Sequence, residues 1–186
     1  MLAQINEKAF WLINSAGNPL LDVPMIFFTI TGFVPAALLI AVVAMRIYGG
    51  LNRKNVVVLL VALIAGGVAV HSLKQAYSTP RPLKHFRIKP PPDSREVRAP
   101  FQQLRSRTFP SGHSQTAFSA AVFIILMFRR HAAWWIAWAA MVALSRVYLG
   151  VHFPLDITAG AIIGSLISAA AVYAFFKKLF PEIRKE

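Results

Sequence analysis

The chain has 186 residues, of which 56% are hydrophobic and only 15% charged, and its mean hydropathy is +0.55. Soluble domains carry nearer a quarter charged residues, so an ordinary soluble domain is excluded. The net charge of +13 in so apolar a chain points to an anionic membrane surface or substrate rather than nucleic acid, and the lack of cysteine excludes disulfide scaffolds, zinc ribbons and iron–sulfur clusters.

In chain order, Leu2, Ile5, Ala9, Leu12 or Ile13, and Ala16 recur at helical spacing, interrupted by Asn6, Glu7, Lys8 and Asn14. The stretch is too short and polar to span a bilayer. It predicts an amphipathic helix in the interface over residues 1–17, with Phe10 and Trp11 as headgroup-level anchors. A sixth, very short span is the competing reading, and the missing cationic start makes it a poor signal peptide. Five apolar runs follow at 25–45, 55–73, 114–128 (extended by Ser111 to His113), 132–150 and 157–176. A spanning helix needs roughly 20 apolar residues, and in lipid only helices and closed barrels satisfy the backbone. The runs lack the alternation of barrel strands. The expected fold is therefore all-α: an integral membrane helical bundle of about five transmembrane helices, forming one domain over residues 1–186.

The connection from 75 to 110 is rich in proline and in cations, so irregular, partly extended structure is expected there. Gly160, Gly164 and Ser168 lie four apart, a spacing that permits close helix packing. Alternating spans put Arg46, Arg53, Lys54, Arg129, Arg130, Lys177, Lys178, Arg184 and Lys185 on one membrane face, and the long connection on the other. Counting cations per face does not decide the orientation. The short connections of the first face are basic without acidic neighbours, which assigns that face to the cytoplasm of a cell (inner) membrane and turns the long loop to the periplasm or exterior.

Three segments on that outer face carry ionisable groups at span ends, where charge is costly. They are Lys74 to Pro82, Phe109 to His113, and Ser145 to Asp156. Lys74, Arg81 and Arg146 can neutralise phosphoryl oxygens. Ser111 and Gly112 open a helix whose free N–H groups and dipole favour an anion. Of the two histidines, His113 and His152, one can attack phosphorus and the other can donate a proton. Asp156 lies four residues beyond His152; if a helix begins near Phe153, the carboxylate reaches the ring, fixes its tautomer and leaves the other nitrogen as nucleophile.

The pattern Lys74…Arg81-Pro82, Pro110-Ser111-Gly112-His113 and Ser145-Arg146…His152…Asp156 resembles the type 2 phosphatidic acid phosphatase (PAP2) superfamily, with every functional position of its three motifs present. The resemblance implies a metal-independent phosphatase with no cofactor. His152 would be the nucleophile, Asp156 its orienting partner, and His113 the acid for the leaving oxygen and then the base for water. Lys74, Arg81, Ser111, Gly112 and Arg146 would hold the phosphoryl oxygens. The implied partners are the membrane and an anionic phospholipid or isoprenyl phosphate substrate, of phosphatidylglycerol phosphate, undecaprenyl diphosphate, phosphatidic acid or lipid A type. The basic loop leans toward a headgroup with more than one negative charge. No nucleic acid is expected, and the oligomeric state is open.

Two competing functions use the same residues: a non-hydrolytic anionic-lipid binder or transporter, and a vanadium haloperoxidase, which the five spans disfavour. Elsewhere, Lys84, Arg87, Lys89, Arg95, Arg98, Arg105 and Arg107 read as solvated or headgroup contacts, and His71 as a packing residue. His85 and His131 read as surface residues, Tyr77 and Tyr148 as interface anchors, and Trp134, Trp135 and Trp138 as lipid-facing or packing aromatics.

Overall fold

The computed structural model describes residues 1–77, 79–104 and 106–179. Arg105, Arg184 and Lys185 lie outside them. Among the described residues every regular element is a helix: α1 (Leu2–Asn14), α2 (Pro19–Thr31), α3 (Val34–Ile47), α4 (Arg53–Ala76), α5 (Pro82–Ile88), α6 (Gly112–Phe128), α7 (Ala132–Tyr148) and α8 (Pro154–Leu179). The starts follow local chemistry. Asn18, Asn52 and Ser111 cap α2, α4 and α6 by accepting N–H groups of the first turn. Proline opens α2 and α5, where its missing N–H costs nothing.

All five apolar runs are helical. By length and composition α4 and the Pro154–Phe175 part of α8 can each cross a bilayer alone. The run 25–45 is not one straight helix. It is split between α2 and α3, which meet at 79° and together make a third candidate span. Gly32 and Phe33 form the break, and Pro35 behind them can neither donate to nor pack against the preceding turn. At 17 residues each, α6 and α7 are about 25 Å long. The expectation of irregular structure over 75–110 also needs correction, because α5 forms between Pro82 and the Pro90–Pro92 run.

The bundle is built around α6, which packs on α3, α4, α7 and α8. Small residues set the α6–α8 distance. A Cβ on Gly160 would stand 2.3 Å from the Ser111 carbonyl oxygen, and one on Gly164 2.2 Å from that of Gln115. Ser168 Oγ donates to the Ser119 carbonyl at 2.9 Å and Ser119 Oγ to that of Gly164 at 3.0 Å. Apolar side chains of α3, α4, α6 and α8, among them Met45, Leu59, Phe123, Ile124 and Val172, fill the core at one end. Large apolar residues such as Phe27, Leu39, Val61, Ile64, Val68, Ile162 and Leu166 point outward. An apolar core inside an apolar exterior is the arrangement of a membrane protein, since water tolerates no such belt.

The helix α1 forms as the periodicity predicts, but Phe10 and Trp11 face the protein rather than the headgroups. They pack with Phe86, Val147 and Phe153. Asn14 is buried and clamps the loop between α5 and α6: its side-chain amide donates to the carbonyls of Arg98 and Tyr148 at 2.9 and 2.8 Å and accepts from Arg98 N–H at 3.0 Å. Leu2, Ile5 and Leu12 are left as its exposed apolar face.

Candidate active site

The three segments converge at one end of the bundle. His152 lies between α7 and α8, and its N–H donates to the Arg146 carbonyl at 3.1 Å, closing the α7 terminus. Asp156, in the first turn of α8, reaches back one turn. Its Oδ2 is 3.3 Å from His152 Nδ1 and accepts from Phe153 N–H at 2.7 Å. Thr108 supplies a third group: its Oγ1 lies 3.1 Å from His152 Nδ1 and donates to Asp156 Oδ2. Arg81 flanks the other edge of the ring, with Nη1 3.3 Å from His152 Nε2 and 2.7 Å from the Val151 carbonyl. Its Nε donates to Ser106 O at 2.9 Å. His152 is fully enclosed, and burial, reinforced by the positive charges of Arg81, Arg146 and Lys74, holds its pKa well below the usual histidine range. The ring is therefore neutral at neutral pH.

Lys74, at the end of α4, donates to the carbonyls of Arg107 and Thr108 at 3.1 and 3.2 Å. Arg146 is 1% exposed, so it does not snorkel. One Nη donates to Thr29 Oγ1 and the other to Gln102 Oε1 at 3.2 Å, while Nε has no partner among the described residues. His113, in the first turn of α6, packs edge-on against Phe33 at the α2–α3 break, with ring centroids 4.4 Å apart. Its Nε2 is buried without a partner among the described residues. Arg146, His152, Arg81 and Lys74 all lie within electrostatic range of it. Buried nitrogens are nearly always hydrogen-bonded, so two unpartnered ones in a cationic pocket mark a place for an anion.

Ser111 departs from expectation. Its N–H is not free for an anion: it donates to the Asp156 carbonyl at 2.9 Å, and its Oγ caps Ser114 N–H at 3.4 Å. Gly112 follows as the first residue of α6. No group of three His, Asp or Glu side chains suited to a metal occurs among the described residues.

Several of the remaining residues have structural partners that the sequence did not reveal. Arg98 is ion-paired with Asp22, and Tyr148 is buried and donates to Asp22 Oδ1 at 3.0 Å, so neither is a headgroup contact or interface anchor. His85 is half-buried and 3.0 Å from Glu7. Arg95 pairs with Asp93 and lies over the Trp11 ring. His71 is exposed beside Gln75, and Tyr77 is exposed. His131 stacks on Tyr48; Trp134 is exposed, whereas Trp138 donates to Thr31 Oγ1 at 3.1 Å. Sequence reasoning missed Thr108, Thr29 and Gln102. Thr108 stands two residues before Pro110, and that proximity is the one signal that was available.

A lipid A 4'-phosphatase of Bacteroides thetaiotaomicron is 43% identical over 58 residues, 30% of this chain and 26% of that protein. The bacitracin transport permease protein BcrC of Bacillus licheniformis is 40% identical over 70 residues, 37% of this chain and 32% of that protein. The matched stretches span about a quarter to a third of these relatives. The crystal structure of Aquifex aeolicus LpxE superposes with a TM-score of 0.76 at 31% identity, covering 91% of this chain and 95% of that one. The PAP2 superfamily profile matches residues 55–180, which include all three segments of the site: the chain belongs to the PAP2 superfamily.

Proposed function

We propose that this membrane protein hydrolyses a phosphomonoester or diphosphate on a membrane lipid, without a metal, through a phosphohistidine. The observation that carries the reading is the two-sided setting of His152: acceptors on its Nδ1 edge, and Arg81 on its Nε2 edge within a pocket that also holds His113 and Arg146. Arginine donates only, so the Nε2 beside it bears a lone pair. That lone pair attacks phosphorus as the bond to the lipid oxygen breaks, and His113 donates its proton to the departing oxygen. The incoming phosphate dianion supplies the negative charge that favours the His113 imidazolium. In the second step His113 takes a proton from water, the hydroxide attacks phosphorus, and the P–N bond breaks to return His152. Lys74, Arg81, Arg146 and the start of α6 at Gly112 stabilise the charge that grows on the equatorial oxygens. Ser111 contributes by seating α6 rather than by its own amide.

In-line displacement sends the leaving group away from His152. The lipid therefore lies on the His113 side, in the groove of about 300 Å³ lined by Gly32, Phe33, Gly67, His71, His113 and Thr116. The larger groove, about 700 Å³, borders Thr108 and Asp156 on the Nδ1 side of His152, opposite to where a leaving group departs. The exposed cations Lys84, Arg87, Lys89 and Arg107 favour a headgroup with a second negative charge, such as phosphatidylglycerol phosphate or undecaprenyl diphosphate. The exposed Arg46, Arg53, Lys54, Arg129 and Arg130 lie at the opposite helix ends, in keeping with a site that faces the periplasm or exterior of a cell (inner) membrane.

Phosphate release in detergent across these lipids tests the reading. Turnover of at least one is expected, with a preference for the doubly charged headgroups; a clear preference for phosphatidic acid overturns the latter. A relative's name, bacitracin transport permease protein, favours the alternative of an anionic-lipid binder or transporter. That reading predicts lipid transfer that survives His152→Ala with no hydrolysis, and it gives the histidine–carboxylate contact no purpose.

A further inference from the structure

Thr108 belongs to none of the three motifs, yet it stands where they meet. It is 2% exposed. Its backbone is held from both sides, its N–H donating to the Thr79 carbonyl at 3.1 Å and its carbonyl accepting from Lys74 Nζ at 3.2 Å. Its hydroxyl oxygen is the nearer of the two oxygens at His152 Nδ1, 3.1 Å against 3.3 Å for Asp156 Oδ2.

The direction of each hydrogen bond follows from the number of protons. A hydroxyl has one proton, and an ionised carboxylate has none. The Thr108 proton goes to Asp156 Oδ2, so the hydroxyl turns a lone pair to His152. Nδ1 must then carry the ring proton. The far nitrogen gives the same result independently, because the Arg81 guanidinium beside Nε2 can only donate.

We propose that Thr108 is a positioning residue of the site: its hydroxyl accepts the hydrogen bond from His152 Nδ1–H and links the ring to Asp156, fixing the orientation in which Nε2 is aimed for attack. The proposal rests on the phosphatase reading for its effect on rate, but the hydrogen-bond assignment can be tested without turnover. Serine keeps the hydroxyl, whereas valine keeps the shape and loses it. Asp156 stays anchored by Phe153 N–H at 2.7 Å in either variant, so valine leaves Nδ1 with a single, longer partner.

The test compares wild type, Thr108→Val and Thr108→Ser in detergent. The first readout is kcat and KM for phosphate release from the lipid phosphate that the wild type turns over fastest. The second is the ¹⁵N spectrum of histidine-labelled protein, with the His152 signals assigned by their loss in His152→Gln. In the valine variant kcat is expected to fall about tenfold or more while KM stays within about threefold, with serine within about threefold of wild type. The spectrum is expected to show Nδ1 protonated and Nε2 bare in all three proteins, because Arg81 and Asp156 remain, with the His152 Nδ1 resonance displaced in the valine variant alone, where its shorter hydrogen bond is lost. A smaller loss of kcat, a loss carried by KM, a serine variant as impaired as valine, or a His152 spectrum unchanged by valine overturns the proposal. The wild-type spectrum decides even if the valine variant does not fold, because a ring protonated at Nε2 overturns it. A wild type that releases phosphate from no lipid counts against the phosphatase reading and leaves the tautomer result standing.

Discussion

The Ser111 amide donates to the Asp156 carbonyl oxygen at 2.9 Å, so the first turn of α6, which carries His113, rests on the first turn of α8, which carries the partner of His152. The spacing between the two histidines therefore depends on how closely α6 and α8 approach. Gly160 permits that approach, since a Cβ there would lie 2.3 Å from the Ser111 carbonyl. Gly160→Ala is expected to destabilise the protein by about 1–3 kcal/mol and to lower kcat, because the clash is with backbone that cannot rotate away. Thermal unfolding in detergent, alongside phosphate release, checks both effects.

Gly67 is the opposite case, with nothing within 4 Å of an added Cβ. It borders the groove assigned to the lipid. Gly67→Phe is expected to cut turnover of long-chain lipid phosphates about tenfold or more while sparing a small water-soluble phosphomonoester, since burial of a phenyl ring there displaces only the tail. Equal loss on both substrates would show that the groove does not hold the tail.

His152→Ala is expected to reduce phosphate release by about 10³-fold or more while leaving the fold intact, because it removes the lone pair proposed to attack phosphorus. A His113 variant is expected to slow both steps. Rapid quenching with labelled substrate and acid-sensitive label on His152 distinguishes the two-step route from direct attack by water.

The pH profile follows from the depressed His152 pKa. Burial and the neighbouring cations disfavour the imidazolium, so the ring stays a nucleophile below the ordinary histidine value of about 6.5. As pH falls through its folded-state pKa, the lone pair is lost. The acidic limb of kcat/KM is therefore expected below about pH 6.5, once the substrate phosphate's own ionisation near pH 6 is corrected for. A limb at pH 7 or above would contradict this setting of the ring.

Asp22 ties the loop between α5 and α6 to α2 and α7 through its ion pair with Arg98 and the hydrogen bond from Tyr148. The pair is partly solvated, so its worth is modest. Asp22→Asn is expected to cost about 1 kcal/mol, which corresponds to about 2–4 °C in Tm. Activity is expected to change little, because neither residue touches the phosphate pocket; differential scanning calorimetry and a phosphate-release assay separate the two effects.

Much of the site was legible because its chemistry is written in short segments. His152 and Asp156 are one helical turn apart, so their contact follows from any helix that starts near Phe153. The 79° break between α2 and α3 was hidden because Gly32 and Pro35 sit in a run that is uncharged throughout, and hydropathy does not register a bend. Phe10 and Trp11 satisfy the same amphipathic pattern whether they meet lipid or protein, so their burial against Phe86 and Phe153 was not visible in periodicity. The Ser111 amide was misread because a helix start looks free until a second helix is set against it.

Composition and spacing alone define an apolar helical bundle with three segments that between them carry three cations and two histidines, because burying backbone in lipid allows few structures and phosphate chemistry needs few residue types. The packed helices alone answer which groups face each nitrogen of His152, what the Ser111 amide bonds to and what holds Arg146. Those answers come from hydrogen bonds spanning 44 residues from Thr108 to His152 and 117 from Thr29 to Arg146. Bonds of that reach are set by how closely the helices pack, and the packing is governed by a few small residues whose effect no local pattern records.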